Sequence, residues 1–104
     1  MIYEMRTYMV KIGKLNDYLR LTEEVGIPII SNYAKLIGYW YTEIGELSQV
    51  VHIWEYPSLD VRAERRKALF SDQEWLDKFI ANALPMLEKQ ENKVLYAANF
   101  SPIR

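Results

Sequence analysis

The segment VVHIWEYPS, residues 50–58, carries the pattern that decides the fold. Its β-branched and aromatic residues predict a strand, which Pro57 ends. On such a strand Val51 and Ile53 point to one face of the sheet. The opposite face receives the other apolar residues and the only histidine of the chain: Val50, His52, Trp54 and Tyr56. Both faces of this strand therefore need cover.

Three further strands are predicted around this segment. The run LIGYWYTEIG, residues 36–45, precedes it as the other half of a hairpin, with GELS as a short connection. Apolar residues again occupy both faces, with Ile37, Tyr39 and Tyr41 opposite Trp40 and Ile44. The first strand is IYEMRTYMV, residues 2–10, and the last is ENKVLYAANF, residues 91–100.

Helical periodicity accounts for the residues between the strands. Apolar residues after Gly13 have helical spacing. Gly26 and Pro28 are expected to end this helix near Val25, after which the chain resumes as an irregular or short helical segment. Ser58 is placed to cap a second helix, SLDVRAERRKALF, residues 58–70. Both crossovers between strands are therefore predicted to contain helix.

The sequence SDQE, residues 71–74, has the form of a capping box at the start of a third helix. In that motif the Ser71 hydroxyl accepts from the third amide and the Glu74 side chain reaches back. Pro85 is expected to kink this helix or to restart it as PMLEKQ, residues 85–90.

The element order β-α-β-β-α-β predicts one domain, residues 1–104, with a ferredoxin-like α+β fold. In this fold the sheet is antiparallel and the helices lie on one face. We expect the uncovered face to pack against the sheet of a second copy about a twofold axis, which gives a dimeric α+β barrel. Alternatively, the tyrosine hydroxyls leave that face amphipathic and wet.

The composition excludes several classes of function. The 13 basic and 14 acidic residues give a net charge of -1, so no global field favours nucleic acid or an anionic membrane. The absence of cysteine removes disulfides, thiolate nucleophiles and cysteine–metal sites. The first residues alternate apolar and charged side chains, unlike a signal peptide or a membrane span. We expect a soluble, cytoplasmic protein.

His52 is the first candidate for chemistry, because it shares its strand side with Trp54 and Tyr56. A buried imidazole there is either a proton shuttle or orienting group for a small aromatic or enolic ligand, or a hydrogen-bonded core residue. One histidine cannot build a site of two or three histidines, so no metal site and no cofactor is predicted. A single axial ligand to haem stays open.

Other strand residues complete a candidate pocket. Its members are His52, Trp54, Tyr56, Arg6, Tyr8, Tyr39 and Tyr41. Aromatic walls with a few hydroxyls suit a planar ligand, although aromatic residues on strands also fill cores and interfaces. Arg6 either joins Glu4 in ion pairs, also across a dimer interface, or holds the carboxylate or phenolate of a ligand.

The basic run RAERRK, residues 62–67, has the composition of an anion-binding patch. Asp60 and Glu64 interleave with its basic residues at helical spacing, so we expect internal ion pairs on a solvated face. The four glycines are scattered and form no phosphate-binding loop, and no nucleophile elbow or spaced carboxylate pair is present.

Four segments resemble the NIPSNAP family: YEMRTYMVKIGKL, AKLIGYW, VVHIWEYPSLDVRAERR and PMLEKQENKVL. The matching positions are Tyr3, Glu4, Arg6, Tyr8, Gly13, His52, Trp54, Tyr56 and Arg62. Ile12 departs from the proline that often precedes the glycine in this family. The resemblance implies a dimeric α+β barrel, the group that includes cofactor-free antibiotic-biosynthesis monooxygenases and haem-degrading monooxygenases. It implies no catalytic residues.

Three functional hypotheses follow. The first is a small-molecule-binding dimer with cofactor-independent oxygenase or isomerase chemistry on an aromatic or enolic compound, in which His52 and the tyrosines shape the site. The second is a haem or tetrapyrrole binder. The third is a noncatalytic dimer that acts through protein partners. The first is preferred, although the sequence contains no complete set of acid, base and oxyanion-stabilising groups.

Overall fold

Four strands and three helical segments alternate along the chain in the computed structural model, which describes all 104 residues. The strands are β1 (Ile2–Val10), β2 (Lys35–Tyr41), β3 (Gln49–Tyr56) and β4 (Leu87–Leu95). Helical segment α1 comprises Leu15–Leu21, Thr22–Gly26 and Ile27–Ile30, and α2 is Leu59–Leu69. Segment α3 comprises two residues, 73–74, followed by Trp75–Ile80, Ala81–Ala83 and Leu84–Met86.

The strands form one antiparallel sheet in the order β2-β3-β1-β4. Helical segments cover one face of it, where the buried residues of β1 and β3 pack against Tyr18, Trp75 and Phe79. This arrangement confirms the predicted ferredoxin-like α+β fold. No helix is long and apolar enough to cross a membrane.

The last strand begins earlier than predicted. Residues 85–90 do not restart a helix, because the chain turns into β4 at Leu87, opposite Val10 of β1. The strand ends at Leu95, so residues 96–100 of the predicted strand lie outside it. All residues of β4 after Leu87 are exposed. Such an edge strand lacks the apolar alternation that marks a strand in sequence.

Segment α1 is continuous, so the predicted end of the helix near Val25 is wrong, whereas the short helical segment predicted to follow is present as Ile27–Ile30. A π-helical stretch, Thr22–Gly26, joins two α-helical turns, and Pro28 falls in the first turn of the second. Gly26 serves packing instead, since a Cβ there would lie 2.6 Å from Cε1 of Phe79.

The caps and the hairpin show one confirmed prediction and two errors. Ser58 caps α2 as predicted, accepting from the Val61 amide at 3.1 Å. At α3 the cap is Asp72, whose Oδ1 accepts from the Glu74 amide at 3.0 Å. The Ser71 hydroxyl instead donates to the Lys67 carbonyl, so the predicted capping box does not form. The hairpin connection is longer than GELS and spans residues 42–48.

The sheet face turned away from the helices is here called the outer face. It consists of half-buried side chains from β1 and β3 and an exposed tryptophan from β2: Met5, Thr7, Met9, Val51, Ile53 and Trp40. No helix of the chain lies over this face, and most of its side chains are apolar. Packing of a second copy against this face, as expected from the sequence, stays a prediction.

Candidate functional site

A cavity of about 230 Å³ lies between the helix-covered face of the sheet and the helices. The sheet contributes Arg6, Tyr8, Tyr39, His52, Trp54 and Tyr56 to its wall. The helices contribute aromatic and apolar residues, including Tyr18, Ile30, Phe70, Trp75 and Phe79. The side chains of 14 of the 20 lining residues are hydrophobic. The cavity is therefore suited to a small, largely apolar molecule.

His52 is held on three sides by aromatic groups. Its ring stacks on Tyr39 with centroids 4.4 Å apart, and the Tyr8 ring lies nearly perpendicular to it with centroids 4.8 Å apart. The indole N–H of Trp54 donates to Nδ1 of His52 at 2.6 Å. Because an indole can only donate, Nδ1 must be unprotonated. The orientation of the imidazole is thus fixed by its neighbour on the same strand.

The imidazole of His52 is neutral at physiological pH. Burial lowers the pKa of His52 to about 3, and the positive charge of Arg6 acts in the same direction. With Nδ1 occupied, the one proton of the neutral ring lies on Nε2. This atom is buried and has no hydrogen-bond partner in the protein. His52 therefore presents an N–H donor and no free base.

Glu4 organises a buried ion-pair cluster beside the cavity. Its Oε2 accepts from Arg62 at 2.5 and 3.1 Å, from Arg6 at 3.2 Å and from the Asn92 amide at 2.9 Å. Burial alone would raise the pKa of Glu4, but the hydrogen bonds from Arg62 and Asn92 and the arginine charges outweigh it, so the pKa is lowered. Arg6 Nε also donates to the Tyr8 hydroxyl.

This cluster corrects the prediction for the basic run of α2. Arg62 turns inward to Glu4, and no ion pair joins Asp60 or Glu64 to a neighbouring arginine. A buried carboxylate attracts a guanidinium more strongly than a solvated one does, because water screens the surface pair. Of the two alternatives for Arg6, pairing with Glu4 is the one observed, within one chain.

Two phenols of the wall, those of Tyr18 and Tyr39, remain protonated. Burial raises the pKa of Tyr39 to about 12 and also raises the pKa of Tyr18. Thr22, one helical turn after Tyr18, donates its hydroxyl proton to the Tyr18 carbonyl at 2.8 Å. These groups can orient an oxygen atom of a ligand, but they do not supply a phenolate base.

Six of the seven residues predicted for the pocket line this one cavity: Arg6, Tyr8, Tyr39, His52, Trp54 and Tyr56. Tyr41 does not, and it is 55% exposed. Their part in binding stays a prediction. Sequence reasoning missed Tyr18, Trp75 and Arg66, because it assigned the pocket to strands alone. The helical spacing that placed Tyr18 and Trp75 on buried faces was the signal that could have found them.

The residues present do not suit a metal or haem. No group of three or more histidine, aspartate or glutamate side chains is placed to hold a metal ion. A histidine that ligates through Nε2 normally donates its Nδ1–H to an acceptor. In this chain Nδ1 of His52 accepts from Trp54, which leaves the proton on Nε2. Axial ligation of haem by His52 would require that arrangement to be reversed.

Comparison with known proteins places the fold among solved structures. A NIPSNAP family protein from Agrobacterium tumefaciens superposes with a TM-score of 0.95 at 47% identity, covering 99% of this chain and 98% of that one. A cofactor-independent oxygenase from Streptomyces nogalater superposes with a TM-score of 0.66 at 11% identity, covering 97% of this chain and 96% of that one. At that identity the likeness concerns the fold alone.

Sequence comparison gives the family. Human protein NipSnap homolog 3A is 37% identical over 95 residues, which are 90% of this chain and 38% of the relative. The chain thus spans well under half the length of that relative. The profile of the NIPSNAP family matches residues 3–102. The chain belongs to the NIPSNAP family.

Proposed function

We propose that the cavity binds a small aromatic or enolic compound. The observation that carries this proposal is the cavity of about 230 Å³ whose mainly apolar lining includes His52, a residue with a buried and unpartnered Nε2. A packed structural core has few voids larger than a water molecule, and its polar atoms are paired. The volume is below the usual range for drug-sized ligands, so the ligand has one or two rings.

The chemistry that suits this site is cofactor-independent oxygenation. In such a reaction O₂ oxidises an activated CH₂ group to a carbonyl, and the second oxygen atom leaves as water. The substrate itself supplies the electrons. An isomerase would need a base, whereas no aspartate or glutamate lines the cavity and His52 holds its proton on Nε2. Oxygenation of an already ionised enolate needs no base, which favours it over isomerisation.

We also propose that two copies pair through their outer faces to form a dimeric barrel. Met5 and Ile53 face each other across β1 and β3 there, both half-buried, and Trp40 beside them is 53% exposed. Apolar side chains in the centre of a sheet face are stabilised when a second sheet removes them from water. The cytoplasmic location expected from the sequence stays a prediction, which cell fractionation would test.

A binding screen with an activity readout tests this function. The purified chain would be heated with phenols, quinols and 1,3-indandione, a flat bicyclic diketone whose CH₂ group ionises near neutral pH. We expect thermal stabilisation that His52→Phe reduces and that Tyr41→Phe, outside the cavity, leaves intact. An oxygen electrode would record O₂ uptake with 1,3-indandione, and the expected product is the trione.

The outcomes separate the hypotheses. Stabilisation without O₂ uptake by any compound would retain the binding site and reject the oxygenase. No stabilisation across the panel would reject the binding site and favour the noncatalytic dimer that acts through protein partners. A hemin titration completes the test, since a Soret shift that depends on His52 would favour the tetrapyrrole alternative.

A further inference from the structure

We infer that the ligand of the cavity is a planar anion whose charge lies on oxygen, and that the N–H groups of His52 and Trp75 donate to it. This inference rests on the proposed binding function and specifies its ligand class. It assigns His52 as a hydrogen-bond donor, where sequence reasoning considered a proton shuttle.

Two buried donors of the wall have no acceptor in the protein. His52 is 5% exposed and Trp75 is 6% exposed, and neither Nε2 of His52 nor Nε1 of Trp75 has a hydrogen-bond partner. Both side chains line the cavity. An N–H group in such a position needs an oxygen from water or from a ligand. The apolar remainder of the wall favours a ligand that brings its own acceptor oxygen.

The charges around the cavity favour an anion. Arg6 and Arg66 line the wall, and no carboxylate does. Arg6 shares the single carboxylate of Glu4 with Arg62, so two positive charges face one negative charge in that cluster. Arg66 forms no ion pair and lies over the ring of Phe70 at 5.3 Å. The site therefore has a positive excess that an anionic oxygen would compensate.

The shape of the wall favours a flat ring. Trp75 stacks on Phe79 with centroids 4.5 Å apart, and Tyr39 stacks on His52 with planes 8° apart. Stacked aromatic walls accept planar molecules by the same offset packing. A carboxylate or enolate oxygen at the edge of such a molecule would accept hydrogen bonds from the N–H groups of His52 and Trp75. A neutral imidazole that donates from Nε2 stabilises an enolate oxygen without transferring a proton to it.

Three naphthalene probes that differ in the charge of one substituent test the ligand class by calorimetry: 2-naphthoate, 2-methylnaphthalene and 2-naphthylmethylammonium. We expect 2-naphthoate to bind at least about tenfold more tightly than 2-methylnaphthalene, the effect of one hydrogen bond to a charged group, and the ammonium not to bind. Equal affinity for 2-naphthoate and 2-methylnaphthalene would overturn the anion inference and keep the cavity as a binding site. Absence of binding by all three would reject the proposed function as well.

Variants and NMR test the donors themselves. His52→Phe and Trp75→Phe keep an aromatic ring and remove one N–H each, so each should weaken 2-naphthoate by about tenfold and leave 2-methylnaphthalene unchanged. The chain has one histidine, so its imidazole ¹⁵N signals are unambiguous. They should report a proton on Nε2 at neutral pH, and the Nε2–H proton should shift on addition of 2-naphthoate. A proton on Nδ1, or no shift, would contradict the assignment.

Discussion

Replacement of Glu4 by glutamine should destabilise the protein strongly. Glu4 is fully buried and its Oε2 accepts hydrogen bonds from Arg6, Arg62 and Asn92. Glu4→Gln keeps the shape of the side chain and one acceptor oxygen, so it isolates the charge. It leaves two guanidinium groups without their carboxylate, and it places a new NH₂ group where Oε1 of Glu4 has no partner.

The size of the effect follows from the burial. Loss of one member of a buried ion pair costs about 3 to 5 kcal/mol, because the remaining charge is uncompensated. At about 4 °C per kcal/mol for a domain of this size, the lower value gives a decrease in Tm of about 12 °C. Glu91→Gln on β4 is the matched control, since Glu91 pairs with Lys89 at the exposed edge. It should leave the Tm almost unchanged.

The pH dependence distinguishes a charge effect from a packing effect. The pKa of Glu4 is lowered in the folded protein from an ordinary value of 4.5. Its contribution to the free energy of unfolding is therefore complete above about pH 4.5 and is lost as the pH falls through the folded pKa. Urea unfolding followed by circular dichroism should show the Glu4→Gln difference at neutral pH and a smaller one in acid. An equal Tm for Glu4→Gln and Glu91→Gln, or a difference independent of pH, would refute this reasoning.

Three further substitutions test the packing. Gly26→Ala should lower the Tm despite a gain in helix propensity of about 1 kcal/mol, because the new Cβ would clash with Phe79. An unchanged Tm in circular dichroism would show that the two helices can move apart. Ile53→Lys on the outer face should yield monomers in light scattering, and a persisting dimer would place the interface elsewhere. Asp72→Ala should lower the thermal midpoint more than Ser71→Ala, since Asp72 caps α3; the reverse order would restore the capping box.

The central strand of the hairpin could be predicted because every second residue is buried, and this two-residue period is visible in the sequence. The alternation in β3 reads Val50, His52, Trp54 and Tyr56 on the helix-covered face, and all four are buried. β4 gave no comparable signal, since its residues after Leu87 are exposed at an edge. The position of β4 depends on its ladder with β1, which is a tertiary contact.

The interruption predicted in α1 failed for a related reason. Gly26 and Pro28 are weak helix formers, and local propensity alone ends the helix there. Phe79 packs so close to Gly26 that a side chain would not fit, and the π-helical stretch before Pro28 carries the chain through the proline. Packing between helices thus overrides the local preference for a helix end. A single sequence does not reveal which side chain will pack against Gly26.

The candidate site, too, could be predicted only in part, because strand periodicity is visible in the sequence and side-chain contacts are not. That His52 shares a face with Trp54 follows from the two-residue period of a strand. That Trp54 donates to Nδ1, and so keeps the proton on Nε2, depends on side-chain geometry that no period encodes. Of the alternatives left open for His52, a proton shuttle requires a nitrogen that is free to accept a proton, and Nδ1 already accepts from Trp54.

The buried N–H groups of His52 and Trp75 also bear on function, because a buried donor without an acceptor lowers the stability of the fold. A buried N–H without an acceptor destabilises a fold by about 1 to 3 kcal/mol, and folded domains have only about 5 to 15 kcal/mol of stability. Packing alone does not require an N–H at Trp75, and Trp75→Phe would remove this unpaired donor and keep an aromatic ring, whereas His52→Phe would leave the Trp54 indole N–H without its acceptor. An acceptor that occupies the cavity offsets the cost of the unpaired donors, and it does so most fully when its oxygen is charged. If Trp75→Phe weakens 2-naphthoate without destabilising the ligand-free protein in thermal unfolding, the Trp75 donor is retained for binding; a loss of stability with unchanged 2-naphthoate affinity would assign Trp75 to packing.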